Sequence, residues 1–185
     1  MKKHVCIIGL IAVLFIVGQS FAVNIALNKP ATASHELDTT FQGSVYGLAG
    51  CAVDGDPISA WNAGGAASIA NPEWLLVDLE NVYNVKTITL TGVVFDDGWS
   101  GRDEYYNLYS SLNNQDWSKI GNGRLVSLYD PTDTYNFNQD ISMRYIKFEV
   151  VGGSNWAHLS ELEVVPEPAT LSLLALGGMI LRKRK

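Results

Sequence analysis

Polar and apolar residues alternate along Thr87-Ile88-Thr89-Leu90-Thr91, along Tyr145-Ile146-Lys147-Phe148-Glu149-Val150 and along Glu161-Leu162-Glu163-Val164. A period of two puts successive side chains on opposite faces of a strand, so each run can bury one face and wet the other. Between such runs lie stretches rich in turn formers: Asn62 to Pro72 (NAGGAASIANP), Phe95 to Asp103 (FDDGWSGRD) and Asn113 to Asp116 (NNQD). No long apolar stripe of helical period occurs outside the two ends of the chain, and no internal repeat is visible. Strands separated by loops, with no good helix, predict an all-β antiparallel sandwich.

The two ends are different in kind. Lys2 and Lys3 precede an apolar run from Val5 to Val17, and Ser20-Phe21-Ala22 forms a small-x-small site. That order is a signal peptide over residues 1–22, cut by signal peptidase. An uncleaved anchor is the other reading, but the run is shorter than the ~20 residues a spanning helix needs. At the far end, Val165, Pro166, Glu167 and Pro168 lead into an apolar stretch from Ala169 to Leu181 and a terminal Arg182-Lys183-Arg184-Lys185. Those 13 apolar residues would reach only about 20 Å as a helix, which suits a transient stop better than a permanent anchor.

Both ends distort the charge balance. The chain has 13 Lys plus Arg and 19 Asp plus Glu, but Lys2, Lys3 and Arg182 to Lys185 all lie in the end segments. Without those six bases and Glu167, 7 basic residues face 18 acidic ones, a net charge near −11 on about 144 residues. Nucleic acid and anionic lipid are therefore poor partners for the domain, and divalent cations better ones. This length holds one domain with a core. Cys6 leaves with the signal, so Cys51 is the only remaining thiol and no internal disulfide can form. Cys51 reads as a small buried apolar residue rather than a nucleophile.

Seven blocks stand in one order: NIALNKPATAS (Asn24 to Ser34), AVDGDPISAW (Ala52 to Trp61), PEWLLVDL (Pro72 to Leu79), NVKTITL (Asn84 to Leu90), YYNLYSSLNNQDW (Tyr105 to Trp117), RYIKFEV (Arg144 to Val150) and HLSELEV (His158 to Val164). This order resembles discoidin domains, also called coagulation factor V/VIII type C domains, which include the family 32 carbohydrate-binding modules. The likeness spans a domain of residues 23–165. It implies a jelly-roll sandwich of about eight strands, with first and last segments close together. The terminal disulfide of many animal members is absent, and Asn113-Asn114 stands where Asp-Gly is usual; Asn tolerates φ > 0, so that turn should survive. Residues 166–185, with Pro-Glu-Pro, a short apolar helix and a basic end, resemble the PEP-CTERM sorting signal of Gram-negative bacteria. That signal implies processing by an exosortase, export to the surface and an association with extracellular polysaccharide.

Asp54 and Asp56 flank Gly55, which lets the backbone turn tightly enough for oxygens to converge on a hard cation. The same Asp-Gly-Asp-Pro could be an ordinary surface turn. No His or Cys cluster suits zinc, and the loop is not an EF-hand. The resemblance implies a structural calcium held by the Cys51 carbonyl, Asp54, Asp56, Ser59, the Ser160 carbonyl and Glu161, in place of the missing disulfide. The second acidic loop, Asp96-Asp97-Gly98, has no distant partner and reads as a turn.

Sugar recognition needs an aromatic face for the C–H side of a pyranose and directional polar groups for its hydroxyls. Loops of this chain offer His35 and Glu36, then Trp99 and Arg102, then Asn155 and Trp156. In the sugar-binding members comparable loops gather at one end of the sandwich. The resemblance thus implies His35, Glu36, Arg102 and Asn155 as hydrogen-bonders, Trp156 as platform and Trp99 as a second wall. Arg102 could instead pair with Asp97, Asp103 or Glu104. Trp61, Trp74 and Trp117 read as core or sheet-packing aromatics, and His158 as a core residue of the last strand. His35 and His158 are the only histidines left after trimming, with no nucleophile elbow around them, so catalysis is the weakest class. The expectation is an exported, non-enzymatic binder of glycan or exopolysaccharide. The alternative is a structural matrix or adhesion protein.

Overall fold

The computed structural model describes residues 23–41, 44–93, 103–126, 131–154 and 156–167. The signal segment, the loop carrying Trp99 and Arg102, Asn155 and the tail from Pro168 lie outside these residues. Asn24–Pro166 forms one compact unit. Its strands are β1 (Ala31–Ala33), β2 (Thr39–Phe41), β3 (Ser44–Tyr46), β4 (Trp61–Ala66), β5 (Glu73–Thr91), β6 (Asp103–Ser111), β7 (Ser118–Val126), β8 (Thr132–Gly153), β9 (Trp156–Leu159) and β10 (Glu161–Pro166). One 3-10 turn, Ala49–Val53, is the only helical element among the described residues.

β5 and β8 are far longer than the short runs their alternation suggests, at 19 and 22 residues. Each breaks register once within the shared ladder. Asp78 pairs with Tyr145 but the next pair is Tyr83 with Met143, and Val85 pairs with Ile141 but the next is Thr87 with Asn136. These irregularities are corners where a strand passes from one layer to the other. At the first corner Glu80 has φ of 67°, a left-handed conformation that bends the chain. The first half of β5 then carries β1 on its free edge, and the second half carries β10, through pairs such as Ala31 with Val77 and Leu162 with Leu90. Five strands, β1-β5-β8-β6-β7, make one layer; β10 with the other halves of β5 and β8 makes the second.

Both layers face one core. Leu75, Val77 and Leu79 come from the first half of β5, Ile88 and Leu90 from the second, and they meet Ile146, Phe148, Val150, Leu162 and Val164. The buried positions change from odd to even along β5, as an irregularity between Val85 and Thr87 requires if both halves are to point inward. Trp61 is fully buried, packs edge-on against Phe148 and donates its indole N–H to the His35 carbonyl at 2.9 Å. Trp74 and Trp117 are half-buried on the sheet surface.

The termini of the domain are joined: Ile25 N–H donates to the Val164 carbonyl and Val164 N–H to Asn24 Oδ1, both at 2.9 Å. Asn114 takes φ of 60°, so the Asn-Asn turn does survive. The Gly-rich stretch after Trp61 is not all turn. Asn62 to Ala66 continues β4 and pairs with β9 across a register shift, with Gly64 at φ of 70°. The ladder of β10 also runs on through Val165 and Pro166, opposite Thr87 and Val85.

Candidate functional site

The loop from Cys51 to Ser59 folds around the Ser59 hydroxyl. Four acceptors surround Ser59 Oγ: the Cys51 carbonyl at 3.0 Å, Asp54 Oδ1 at 2.9 Å, Asp54 Oδ2 at 2.8 Å and the Asp56 carbonyl at 3.0 Å. A hydroxyl has one proton to donate, so most of these oxygens face another oxygen with no hydrogen between them. Asp56 turns its carboxylate to Ile58 N–H and offers the cluster its carbonyl. Gly55, at φ of 81°, makes the bend and donates its N–H to Glu161 Oε1 at 2.6 Å, across 106 residues of sequence. Ser160 is buried beside Glu161, and its hydroxyl reaches the Pro57 carbonyl at 3.4 Å. All six residues expected around one cation therefore belong to one place in the fold.

Glu161 is 7% exposed, and its Oε2 has no hydrogen-bond partner. Burial pushes its carboxyl up to about 7, against the opposing Gly55 N–H, and the Asp54 carboxylate adds to the rise. Burial likewise raises the Cys51 thiol, with Asp54 next in effect, which keeps it protonated and unreactive. Among the described residues no three His, Cys, Asp or Glu side chains converge. The donors are a mixture of carboxylate, hydroxyl and carbonyl oxygen, which is the chemistry of a hard cation. An orphaned buried carboxylate oxygen beside a second carboxylate fits a group that brings positive charge.

Of the residues expected to recognise a sugar, the described ones, His35, Glu36 and Trp156, lie beside β4. Leu37 N–H donates to the Asn62 carbonyl on one side of the strand, and on the other Asn62 pairs with His158 and Ala66 with Trp156. β4 thus separates the His35-Glu36 segment from Trp156. His35 is exposed, with Nδ1 2.9 Å from Glu73 Oε2. Glu36 is exposed and accepts Ala49 N–H at 2.8 Å, tying the segment to the 3-10 turn. Trp156 opens β9 and remains 48% exposed. Trp99, Arg102 and Asn155 lie outside the described residues, but Asp103, next to Arg102, meets Ser154, next to Asn155. Ser154 N–H donates to the Asp103 carbonyl at 2.9 Å, and Ser154 Oγ donates to Asp103 Oδ1 at 2.7 Å. Gly153, at φ of 141°, permits this approach, since a Cβ there would strike the Asp103 carbonyl. The Ser154 hydrogen bond, then Arg124, holds the Asp103 carboxyl below its ordinary range.

Sequence reasoning missed the residue that fixes this junction. Glu104 is 1% exposed, accepts His158 N–H at 2.7 Å and places Oε2 3.1 Å from His158 Nδ1. His158 is 2% exposed, so the pair joins the start of β6 to β9 inside the protein. A signal was available: Glu104 is in phase with Tyr106 and Leu108, which are both buried. Glu73, which receives His35 and Ser34, was also missed.

The family model of the F5/8 type C domain matches residues 30–162. The PEP-CTERM protein-sorting motif matches residues 164–185. No curated protein matches the chain. Among solved structures, the family 32 module CpGH89CBM32-5 of Clostridium perfringens, in complex with GalNAc-beta-1,3-galactose, is 23% identical with a TM-score of 0.61, covering 75% of this chain and 95% of that one. The family 32 module of C. perfringens NanJ, in complex with galactose, is 22% identical with a TM-score of 0.59, covering 74% and 93%. A fucose binding module of Streptococcus pneumoniae is 22% identical with a TM-score of 0.58, covering 80% and 99%. At these identities the likeness is one of fold. The chain belongs to the F5/8 type C, or discoidin, family: a jelly-roll β-sandwich like the carbohydrate-binding modules, followed by a PEP-CTERM sorting motif.

Proposed function

We propose that this is an exported, non-catalytic glycan-binding module with one structural calcium, held for a time by its tail before exosortase processing at the surface of a Gram-negative cell. The observation that carries the binding role is Trp156: a large aromatic left half in solvent at the start of β9, with its strand held two residues later by the buried Glu104–His158 pair. The neighbours in complex with galactose and GalNAc-beta-1,3-galactose support the same ligand class. Trp156 would take the C–H face of a pyranose, and His35 a hydroxyl, its ring oriented by Glu73. Glu36, Arg102 and Asn155 would supply further hydrogen bonds, with Trp99 as a second wall.

Cys51, Asp54, Asp56, Ser59, Ser160 and Glu161 would hold the calcium. When bound, the ion supplies the positive charge that the Asp54 and Glu161 carboxylates lack. Its role would be to brace the Asp54 loop against the first residue of β10. A glycan array of the full chain, run with calcium and with chelator, tests the reading. Retention on a galactose-type sugar that disappears in Trp156→Ala supports it. Retention on no sugar removes it in favour of a structural matrix role.

A further inference from the structure

The outer face of the five-stranded layer is chemically unlike the rest of the domain. Seven lysines and arginines occur in residues 23–165, against 18 acidic residues. Four of the seven, Lys119, Arg124, Arg144 and Lys147, place their charges on this one face. Leu76, Lys147, Tyr109 and Lys119 stand in register across β5, β8, β6 and β7. Lys147 Nζ lies 4.8 Å from the centre of the Tyr109 ring and 5.1 Å from that of Trp117. One row further along β6 are Asn107 and, paired with it, Asn122; beyond them Tyr105 is paired with Arg124, whose guanidinium carbon is 5.7 Å from its ring.

Three described carboxylates on this face are each held by a cation. Asp78 takes two hydrogen bonds from Arg144, Asp103 one from Arg124, and Glu149 lies 3.4 Å from Lys147 Nζ. Among the described residues Lys119 is the exposed charge left over, so the described part of this face holds one more cation than carboxylates on a strongly acidic domain. Tyr105 is 48% exposed although it lies in mid-sheet, where its inward neighbour Tyr106 is buried. From Tyr105 to Tyr109 is four residues, roughly 13 Å of strand. Rings flanked by fixed cations and amide side chains, repeated over that length, suit a chain of sugars bearing carboxylates: the rings take C–H faces, the cations the acid groups, the amides the hydroxyls.

We propose that this sheet face, along Tyr105, Asn107 and Tyr109 with Lys119, Arg124 and Lys147, is a second binding surface, for an acidic polysaccharide chain. It does not depend on the loop site around Trp156, and it reconciles a negative domain with a negative polymer, because the contact is confined to the one face where cations collect.

The test is native electrophoresis of the full chain through gels containing alginate or polygalacturonate, with neutral dextran and single-stranded DNA gels as comparisons, at low and high salt. The expected result is retardation by the polyuronates but not by dextran, weakened by salt. Lys119→Glu and Tyr105→Ala, both at exposed positions, should each weaken it by about fivefold or more, while Trp156→Ala leaves it unchanged. Absence of retardation overturns the proposal. So does retardation that survives both sheet substitutions, which would place it on the basic residues 182–185, or that is lost in Trp156→Ala. Equal retardation by DNA, released by the same substitutions, would also overturn it in favour of a general polyanion surface.

Discussion

Glu104 and Glu161 are both glutamates sealed in the sandwich at the first or second residue of a strand, and both accept a backbone N–H from a distant loop or strand. Their surroundings differ in one respect. Each leaves its Oε2 without a hydrogen bond, but Glu104 Oε2 lies 3.1 Å from the His158 ring, a group able to carry positive charge, whereas Glu161 faces the Asp54 carboxylate. The first clamp has its counter-group within the chain. The second is short of positive charge, so it is the one expected to respond to conditions outside the protein: pH and, on the proposed reading, cations.

The largest expected effect is on the first clamp. His158→Ala leaves Glu104 buried without its partner and should cost about 3–5 kcal/mol, measured by urea unfolding. A loss under about 1 kcal/mol would mean that Glu104 is satisfied elsewhere, and the contrast would fail. Next comes the pH dependence of the second clamp. Glu161 titrates near 7 in the folded protein against an ordinary 4.5. Between those values the folded state keeps a proton that the unfolded chain has released, so stability falls as pH rises. In chelator the fall should total about 3 kcal/mol from pH 4.5 to 7.5, and Glu161→Gln should flatten it. An unchanged slope in that variant would assign the effect to other carboxyls.

Much of the fold can be read from residues whose neighbours in sequence are also their neighbours in structure. Thr87 to Thr91 and Tyr145 to Val150 alternate because each has one face on the core, and Asn114 marks its own turn. The lengths of β5 and β8 cannot be read that way. Their corners look like strand ends: Glu80, Asn81 and Val82 are exposed, and only closure of the second layer continues the strand beyond them. The site divides similarly. Asp54 and Glu161 become partners only through a long-range fold, so no local spacing links them; the ordered blocks of a known family do. Glu104 offered a local sign, being in phase with buried neighbours, but its partner lies 54 residues away.

Calcium should act on one clamp and not on the other. At about a hundredfold excess over its dissociation constant it should add about 2.7 kcal/mol at pH 7.5, read as a rise in midpoint over the chelated protein. Asp54→Asn should abolish the gain, and His158→Ala should retain it, because Asp54 stands beside Glu161 and His158 does not. Below pH 7 the gain should shrink as protons compete for Glu161. A calcium response equal in Asp54→Asn and the parent would place the ion elsewhere.

The smallest effect on stability should come from the residue with the largest effect on binding. Trp156 is half in solvent, so Trp156→Ala should change unfolding by about 0.5 kcal/mol or less. Its indole nevertheless sits two residues from His158, on the strand that Glu104 fixes. If the first clamp serves recognition, Trp156→Ala should lose sugar retention at full stability and keep the whole calcium response. His158→Ala, assayed below its unfolding midpoint, should weaken retention while leaving Trp156 in place. Retention that follows calcium alone, and ignores His158, would reverse the assignment and make the charge-deficient clamp the one that positions the ligand.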